Sequence, residues 1–590
     1  MIRIIFLSGW AALLAIFCPS ISAKIPLEHY LPEDTWLAIS AERLSDMTAE
    51  FKESELSSKL GEDEWDALLA PLKANPYWAH LSNLTVSGEP LTWDMFVEKH
   101  PERVLLAFIG DETAFGANPE FKFLAIADYV GDIEFMLDIS TPDLPEGSDV
   151  EIKVVEQDYL GTTLYLEEIV RGEEATIDSG WTVIDGLYME ASPVSLLKET
   201  VDLVLDGSHE RSLAENPVYI DAQAEWGDSQ IHAFLNLAAI VPLFQDSSRK
   251  NAIQLPPNPL GLSTENLFSA LKLDNLDSLY AGIASERDGL RLRYGALYKG
   301  LDGVLSLLSY TEEDLFKTSF TPPDAMTASI SNFSLTQAWH ALEDILSDVS
   351  PNFDSFYQMQ LNQLNATTDI DIRESIIENF GEQFIVLTLE NKDSNVFEFG
   401  DETVSPAVTN QCFIIEILDT HSFEMAVEAL KDMVSQGTRV FESRDFMGTR
   451  IYTPVIRQGQ SVHIPTTSYA IKDGYFLFAT GSPAALEPVI INMEKDGAHL
   501  FAKDSIQDAL VQLPRNPYEL QYNNIGMLWK NMLRNVDRVA NGIGGELPLF
   551  RLGTIERDVD LPYFFLGGTY VDDNRLSFEA LVRKQADDDD

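Results

Sequence analysis

The chain repeats itself. "DYLGTTLYLEEIV" from Asp158 returns as "DFMGTRIYTPVIR" from Asp445, and the match belongs to an ordered series. "LPEDTWLAIS" (Leu31) pairs with "TPPDAMTASIS" (Thr321), "FVEKHPERVLLAFIGDE" (Phe96) with "IIENFGEQFIVLTLEN" (Ile376), and "NPEFKFLAIADYV" (Asn118) with "TNQCFIIEILDTH" (Thr409). "WTVIDGLYMEASP" (Trp181) answers "YAIKDGYFLFATGSP" (Tyr469), "LAENPVYI" (Leu213) answers "LPRNPYEL" (Leu513), and "LYAGIASERDGLRL" (Leu279) answers "FLGGTYVDDNRLSF" (Phe565). Order is kept, and partners stay between about 280 and 300 residues apart. Solenoid repeats have periods of about 20–50 residues, so this period describes whole domains. The expectation is two tandem homologous domains, residues 24–310 and 311–585, between a leader (1–23) and a short acidic disordered tail (586–590).

Periodicity supplies the fold class. "QFIVLTL", "CFIIEIL", "YAIKDGYFLFAT" and "LSFEALV" read as strands. Asp185-Gly186, Asp288-Gly289, Asp473-Gly474 and Asp573-Asn574 stand between apolar runs, a strong short-range hairpin signal. "SLTQAWHALEDIL" reads as a helix with Ser334 and Gln337 as a capping box and a stripe of Leu335, Ala338, Trp339, Leu342, Ile345 and Leu346. "HSFEMAVEALKDMV" repeats the pattern through Phe423, Ala426, Val427 and Leu430. Ser192-Pro193 and Ser482-Pro483 read as helix starts, serine at the N-cap and proline at the first turn. Each domain is therefore expected to be α+β: a mainly antiparallel sheet with amphipathic helices packed on it.

The first residues, "MIRIIFLSGWAALLAIFCPSISA", have Arg3, an apolar run from Ile4 to Phe17 and small residues ending at Ala23. That is the layout of a secretory signal, with cleavage expected near Ala23. The apolar run is short for a membrane span of about 20 residues, and no later stretch is apolar and long enough to span after the signal is removed. Beyond the leader one cysteine remains, Cys412, inside an apolar strand-like run, where an inert buried thiol is expected. The balance of 40 Lys+Arg against 95 Asp+Glu gives a net charge of −55. Such a field repels phosphate backbones and anionic lipid, so nucleic-acid binding is not expected, while weak cation association is.

The order of signal, Leu-Pro-x-Asp-Thr at Leu31–Thr35, strand, helix, Asp-[Tyr/Phe]-x-Gly-Thr turn (Asp158–Thr162, Asp445–Thr449), Asp-Gly hairpin and Ser-Pro helix resembles a family of bacterial exported proteins known as a domain of unknown function. The resemblance spans most of both repeats and rests on turns and caps. It implies an envelope location and carries over no ligand or catalytic residue.

Motifs for chemistry are sparse. The nine histidines form no HxH or HExxH spacing, and none recurs at the matched position of the other repeat. Ser-x-x-Lys occurs at Ser195/Lys198, Ser247/Lys250 and Ser269/Lys272, but repeat two places Ala485 and Pro488 opposite the first. No Gly-x-Ser-x-Gly elbow occurs, and "GIGGELP" from Gly542 has no phosphate-loop lysine. Acidic pairs at Asp274/Asp277, Asp369/Asp371 and Asp558/Asp560 have no EF-hand frame. Trp78, Trp93, Trp226 and Trp529 are read as core before they are read as ligand platforms. No catalytic, cofactor-binding or metal-binding residue is assigned. The sequence thus points to a periplasmic or secreted bacterial envelope protein that binds or scaffolds a protein or envelope polymer without catalysis. The alternative is an extracytoplasmic hydrolase with paired carboxylates.

Overall fold

The computed structural model describes residues 25–43, 85–86, 89–90, 102–115, 121–128, 150–172, 174–206, 212–250, 263–286, 289–311, 317–391, 397–399, 402–404, 409–434, 439–458, 461–463, 467–482, 484–495, 498–528 and 562–585. The leader, the acidic tail, Trp78, Trp93, Trp529, His80, His100, His209, Asp288, Asp558, Asp560 and "GIGGELP" lie outside them. The fold is α+β, with extensive antiparallel sheet and several helices.

Two compact units divide the chain. The first holds the described residues up to Asn251 and Leu276–Leu297; the second holds Ala252–Asn275, Tyr298–Gly542 and the residues from Arg557. The packing boundary therefore differs from the linear one near residue 310. The cause is local: Ala270 packs with Ile345 and Val349, and Asn266 Nδ2 donates to the Val349 carbonyl at 3.3 Å.

The first unit contains β1 (Leu37–Ala41), β2 (Val104–Ile109), β3 (Lys122–Asp128), β4 (Val150–Tyr159), β5 (Thr162–Arg171), β6 (Glu174–Ile184), β7 (Leu187–Ser192), β8 (Ile231–Asn236) and β9 (Leu276–Glu286), followed by β10 (Gly289–Tyr298). Antiparallel pairing places them in the order β9-β8-β1-β2-β3-β7-β6-β5-β4. The second unit contains β11 (Thr327–Asn332), β12 (Phe380–Glu390), β13 (Thr409–Ile417), β14 (Arg439–Phe446), β15 (Thr449–Gln458), β16 (Thr467–Lys472), β17 (Tyr475–Thr480), β18 (Glu519–Asn524), β19 (Tyr563–Asp572) and β20 (Arg575–Lys584). Its order is β20-β19-β18-β11-β12-β13-β17-β16-β15-β14, again antiparallel throughout. With ten added to each label, the first order becomes the second without its outermost strand, β20.

Alternation explains the strands. β12 buries every second residue over its whole length, and β8 does the same, as a period of two requires. The expected tight turns are present: Asp185-Gly186 joins β6 to β7, Asp473-Gly474 joins β16 to β17, and Asp573-Asn574 joins β19 to β20. Asp185 and Asp473 both take φ of 49°, with glycine following at 78° and 81°. Two successive positive φ values match the right-handed twist of the strands they join.

One face of each sheet is covered by short helices. In the first unit these are α1 (Val194–Asp206) and α2 (Pro217–Trp226), before α3 (Leu237–Lys250). Leu196, Leu197, Val201, Tyr219 and Trp226 meet Leu105, Leu124, Met189 and Phe234 in the core. The second unit holds α4 (Thr264–Leu271), α5 (Leu335–Val349), α6 (Pro351–Thr368), α7 (Thr420–Val434), α8 (Glu487–Glu494) and α9 (Asp504–Leu510). There Val489, Ile490 and Ile506 meet Ile330, Ile385, Ile414, Leu477 and Leu520.

The Ser334 cap is present, its Oγ accepting from the Gln337 N–H at 3.2 Å. In α5, however, Ile345 is buried while Leu342 stays 36% exposed, so the stripe is only partly used. α7 buries Phe423 and Ala426 as its pattern requires. α1 starts at Val194, directly after Ser192-Pro193, but α8 starts only at Glu487, with Pro488 in its first turn. At Ser482 the backbone is held otherwise: its N–H donates to Asn410 Oδ1 at 2.7 Å, and its own Oγ accepts from the Ala484 N–H.

Backbone contacts also correct one pairing. Leu213 N–H donates to the Leu31 carbonyl, and Leu500 N–H donates to the Thr321 carbonyl. Leu500 thus makes in the second unit the contact that Leu213 makes in the first, whereas Leu513 N–H donates to the Leu510 carbonyl. Asn216 caps α2 ahead of the helix, whereas Asn516 follows α9 with φ of 58°. Asn-Pro is general turn punctuation, and its recurrence misaligned the two segments.

Candidate functional site

A buried group of ionisable side chains lies in the first unit. Glu28 sits on the 3-10 turn Leu27–Tyr30, and His232 is the second residue of β8. His232 Nε2 lies 3.0 Å from Glu28 Oε1, with the side chains 9% and 3% exposed. Trp226, the last residue of α2, stacks on the imidazole at 4.7 Å and 10°. Ser40 faces His232 directly across the β1–β8 ladder. The Ser40 hydroxyl helps hold the Glu28 carboxyl down and the Tyr219 phenol faces the Glu28 charge, while His232 Nδ1 has no hydrogen-bond partner among the described residues. Burial pushes that carboxyl up, but the His232 hydrogen bond and charge outweigh it and hold it below the usual carboxylate range. Burial, then the Glu28 charge, pushes the neighbouring Glu42 carboxyl up. The Tyr219 phenol is raised well above its ordinary value by burial, then by Glu28 and Glu42.

Serine, histidine and glutamate in one place suggest a nucleophile, a base and an orienting acid. The geometry supports a different role. Ser40 makes no hydrogen bond to His232, and Ser40, Glu28 and His232 are all buried. The pair instead ties the N-terminal segment to the sheet. A second pair does the same: Arg103 binds both oxygens of Asp128 at 3.2 and 3.0 Å and donates through Nη1 to the Ile25 carbonyl at 2.6 Å. Sequence reasoning missed both pairs because their members lie far apart in the chain. The one available signal was that none of the nine histidines recurs.

The residues singled out by sequence do not converge. Cys412 is buried with Sγ 3.3 Å from the Ala485 carbonyl, and burial pushes its thiol up to about 12. Ser195 and Ser269 are exposed on their helices, and Ser247 donates to the Phe115 carbonyl. His340 lies 3.9 Å from Glu378, and His421 is exposed at the start of α7. Asp371 accepts from the Arg373 and Glu374 backbone N–H groups. Trp226 belongs to the core. Among the described residues, no group of three or more His, Cys, Asp or Glu is arranged to hold a metal. Among them, too, no helix is long and apolar enough to cross a membrane.

The repeated Asp-aromatic-x-Gly-Thr segments form the tips of two long hairpins. β4 pairs with β5 over ten residues each, Tyr159 opposite Thr162, and β14 pairs with β15, Phe446 opposite Thr449. Leu160-Gly161 and Met447-Gly448 make the turns, with φ of 54° and 84° and of 50° and 78°. Asp445 Oδ1 accepts from the Gly448 N–H at 3.2 Å. Leucine and methionine are unfavourable at such φ values, and here they are also 65% and 44% exposed. The hairpins are rooted alike: Tyr165 stacks on Trp181 at 4.1 Å, and Tyr452 on Tyr469 at 5.0 Å. β4 and β14 are edge strands, each paired with one neighbour among the described residues. Lys153, Val155, Glu156, Gln157 and Asp158 of β4, and Glu442, Ser443 and Asp445 of β14, are exposed.

No protein-family model and no curated protein sequence matches the chain. Among solved structures, crystal form III of TP0453 is similar at 8% identity and a TM-score of 0.22, covering 47% of this chain and 81% of that one. Crystal form IV of the same protein matches at 10% identity and a TM-score of 0.23 over the same shares.

Proposed function

We propose that the chain is an exported bacterial envelope protein, built from two homologous α+β repeats, whose role is to bind or scaffold a protein or envelope polymer without catalysis. The observation that carries this reading is the repetition of the edge hairpins. Both units present the same two-residue turn, a stacked aromatic root, an exposed apolar tip and an outer strand with exposed polar side chains. An open edge strand is a ready template for strand addition, which is a recurring mode of recognition. The buried polar group is not repeated: register places Leu520 opposite Ile330 where the first unit has His232 opposite Ser40. A duplication that retains its exposed edges and lets its ionisable cluster diverge supports a role at the surface.

The test is affinity capture from a bacterial envelope fraction, comparing the chain with a Leu160→Asp, Met447→Asp variant. The expected result is an envelope component retained by the first and lost by the second, with both proteins equally folded by circular dichroism. Equal retention by both would remove the hairpins from the reading. Release of soluble products from envelope glycan by the unaltered chain would favour the hydrolase instead.

A further inference from the structure

We propose that the Leu-Pro-x-Asp-Thr segment of the first unit builds a site for a small molecule with an ammonium group and a carbonyl oxygen, an amino acid or a short peptide. A cavity of about 490 Å³ opens beside the segment, lined among others by Pro32, Glu33, Asp34, Asn216, Asn236 and Ala238. That size suits a small organic ligand. Asn236 ends β8, stands directly before α3 and is only 3% exposed. Its Oδ1 accepts from the Ala239 N–H at 3.1 Å. This fixes the side-chain amide and leaves Nδ2 as a donor on the cavity wall, without a hydrogen-bond partner among the described residues. The neighbouring Ala238 N–H belongs to the first turn of α3, where the helix itself supplies no acceptor. Asn216 is already closed, its Oδ1 accepting from the Val218 N–H and its Nδ2 donating to the Glu33 carbonyl. The inner wall therefore calls for an acceptor. At the rim, Glu33 and Asp34 are exposed, and neither carboxylate has an ion pair or hydrogen bond among the described residues.

A donor wall and an acidic rim match opposite ends of one ligand. A lone anion is disfavoured by a chain of net −55. A lone metal ion, which takes oxygen ligands, is disfavoured by the inward donors. An ammonium group satisfies the rim carboxylates while a carbonyl or carboxylate oxygen of the same molecule accepts from Asn236 Nδ2 and the Ala238 N–H. Val218, Ala238 and Ala239 line the cavity with apolar side chains, so an apolar ligand side chain fits there. The second unit shows which part is architecture. Asn524 repeats the cap: its N–H donates to the Met326 carbonyl as that of Asn236 donates to Trp36, and its Oδ1 accepts from the Met527 N–H. There, however, Pro323 precedes Asp324, where Glu33 precedes Asp34. The cap is kept by both units, and the paired carboxylates belong to the first alone.

Isothermal titration of the chain from Lys24 onward with leucine, leucyl-glycine and N-acetyl-leucyl-glycine tests this. Leucine or leucyl-glycine is expected to bind, and the acetylated peptide, which has no ammonium group, about tenfold more weakly. Tighter binding of leucine would assign the site to free amino acids, and tighter binding of the dipeptide to peptides. Glu33→Gln with Asp34→Asn is expected to weaken binding about tenfold. Asn236→Asp keeps the oxygen that caps α3 and removes the donor, and is expected to weaken it about tenfold as well. Circular dichroism is expected to be unchanged in both variants, and the exposed rim pair carries the test by itself if Asn236→Asp alters the fold. Absence of binding by leucine and by leucyl-glycine at about 10 mM would overturn the proposal. So would equal binding of the acetylated peptide, or a rim variant that binds as the unaltered chain does. The site shares no residue with the hairpins, so its failure would leave their reading standing.

Discussion

The two units answer one structural problem in two ways. At the strand crossing beside the N-terminal turn, the first unit buries His232 against Glu28, with Ser40 across the ladder. The second unit has Leu520 against Ile330 at the same crossing, both in its apolar core. One sheet position away, Arg103 and Asp128 form a buried ion pair. At the same end of the β12–β13 ladder, the Glu416 carboxylate accepts from the Glu382 and Gln383 backbone N–H groups at 3.1 and 3.3 Å. The second unit therefore closes the strand crossing without a buried ion pair. A buried ion pair roughly offsets its own desolvation, whereas losing one partner strands the other. The first unit is thus the more vulnerable to single substitutions, and the second to cavities.

The sharpest way to break this comparison is Asp128→Ala, which strands Arg103 in the core. A loss of about 3–5 kcal/mol is expected by urea unfolding. In the second unit Leu520→Ala is expected to cost about 3 kcal/mol through the cavity it leaves. His232→Leu alone leaves Glu28 buried and unpaired and is expected to cost about 2 kcal/mol. The triple change Glu28→Thr, Ser40→Ile, His232→Leu copies the second unit and is expected to fall within about 1 kcal/mol of the parent. A triple variant as unstable as His232→Leu would show that the two positions are not interchangeable.

Acid separates the units more gently. The Glu28 carboxyl is held below its ordinary value of 4.5, so the unfolded chain binds its proton more readily than the folded one. The stability this adds is present above pH 4.5 and is lost as pH falls below it toward the folded value. Glu28→Gln is expected to flatten that part of the acid limb in a thermal-melt series, and an unchanged limb would contradict the assignment. The smallest effect belongs to the hairpin tips. Leu160→Asn and Met447→Asn place a residue that tolerates positive φ and are each expected to stabilise by about 0.5 kcal/mol, read from melting temperature.

Much of this was legible in the residues. Asp-aromatic-x-Gly-Thr and the Asp-Gly pairs announced turns because backbone sterics act over two or three residues. Alternation announced β12 and β13 for the same local reason. Ser334 announced its cap, but the α5 stripe overstated burial, since a periodic face does not say how much of it finds a partner. Asn216 and Asn516 looked equivalent and are not, because one dipeptide serves both a helix start and a loop.

By itself the sequence determined the α+β class, the hairpin tips and the recurrence of segments, all set by chemistry over a few neighbouring residues. Only the tertiary structure decided that Glu28 meets His232, that Arg103 meets Asp128, and that β4 and β14 are edges. Those outcomes depend on which distant strands pair and in what register. That choice is made by the whole buried face at once, so no short stretch of the chain contains it.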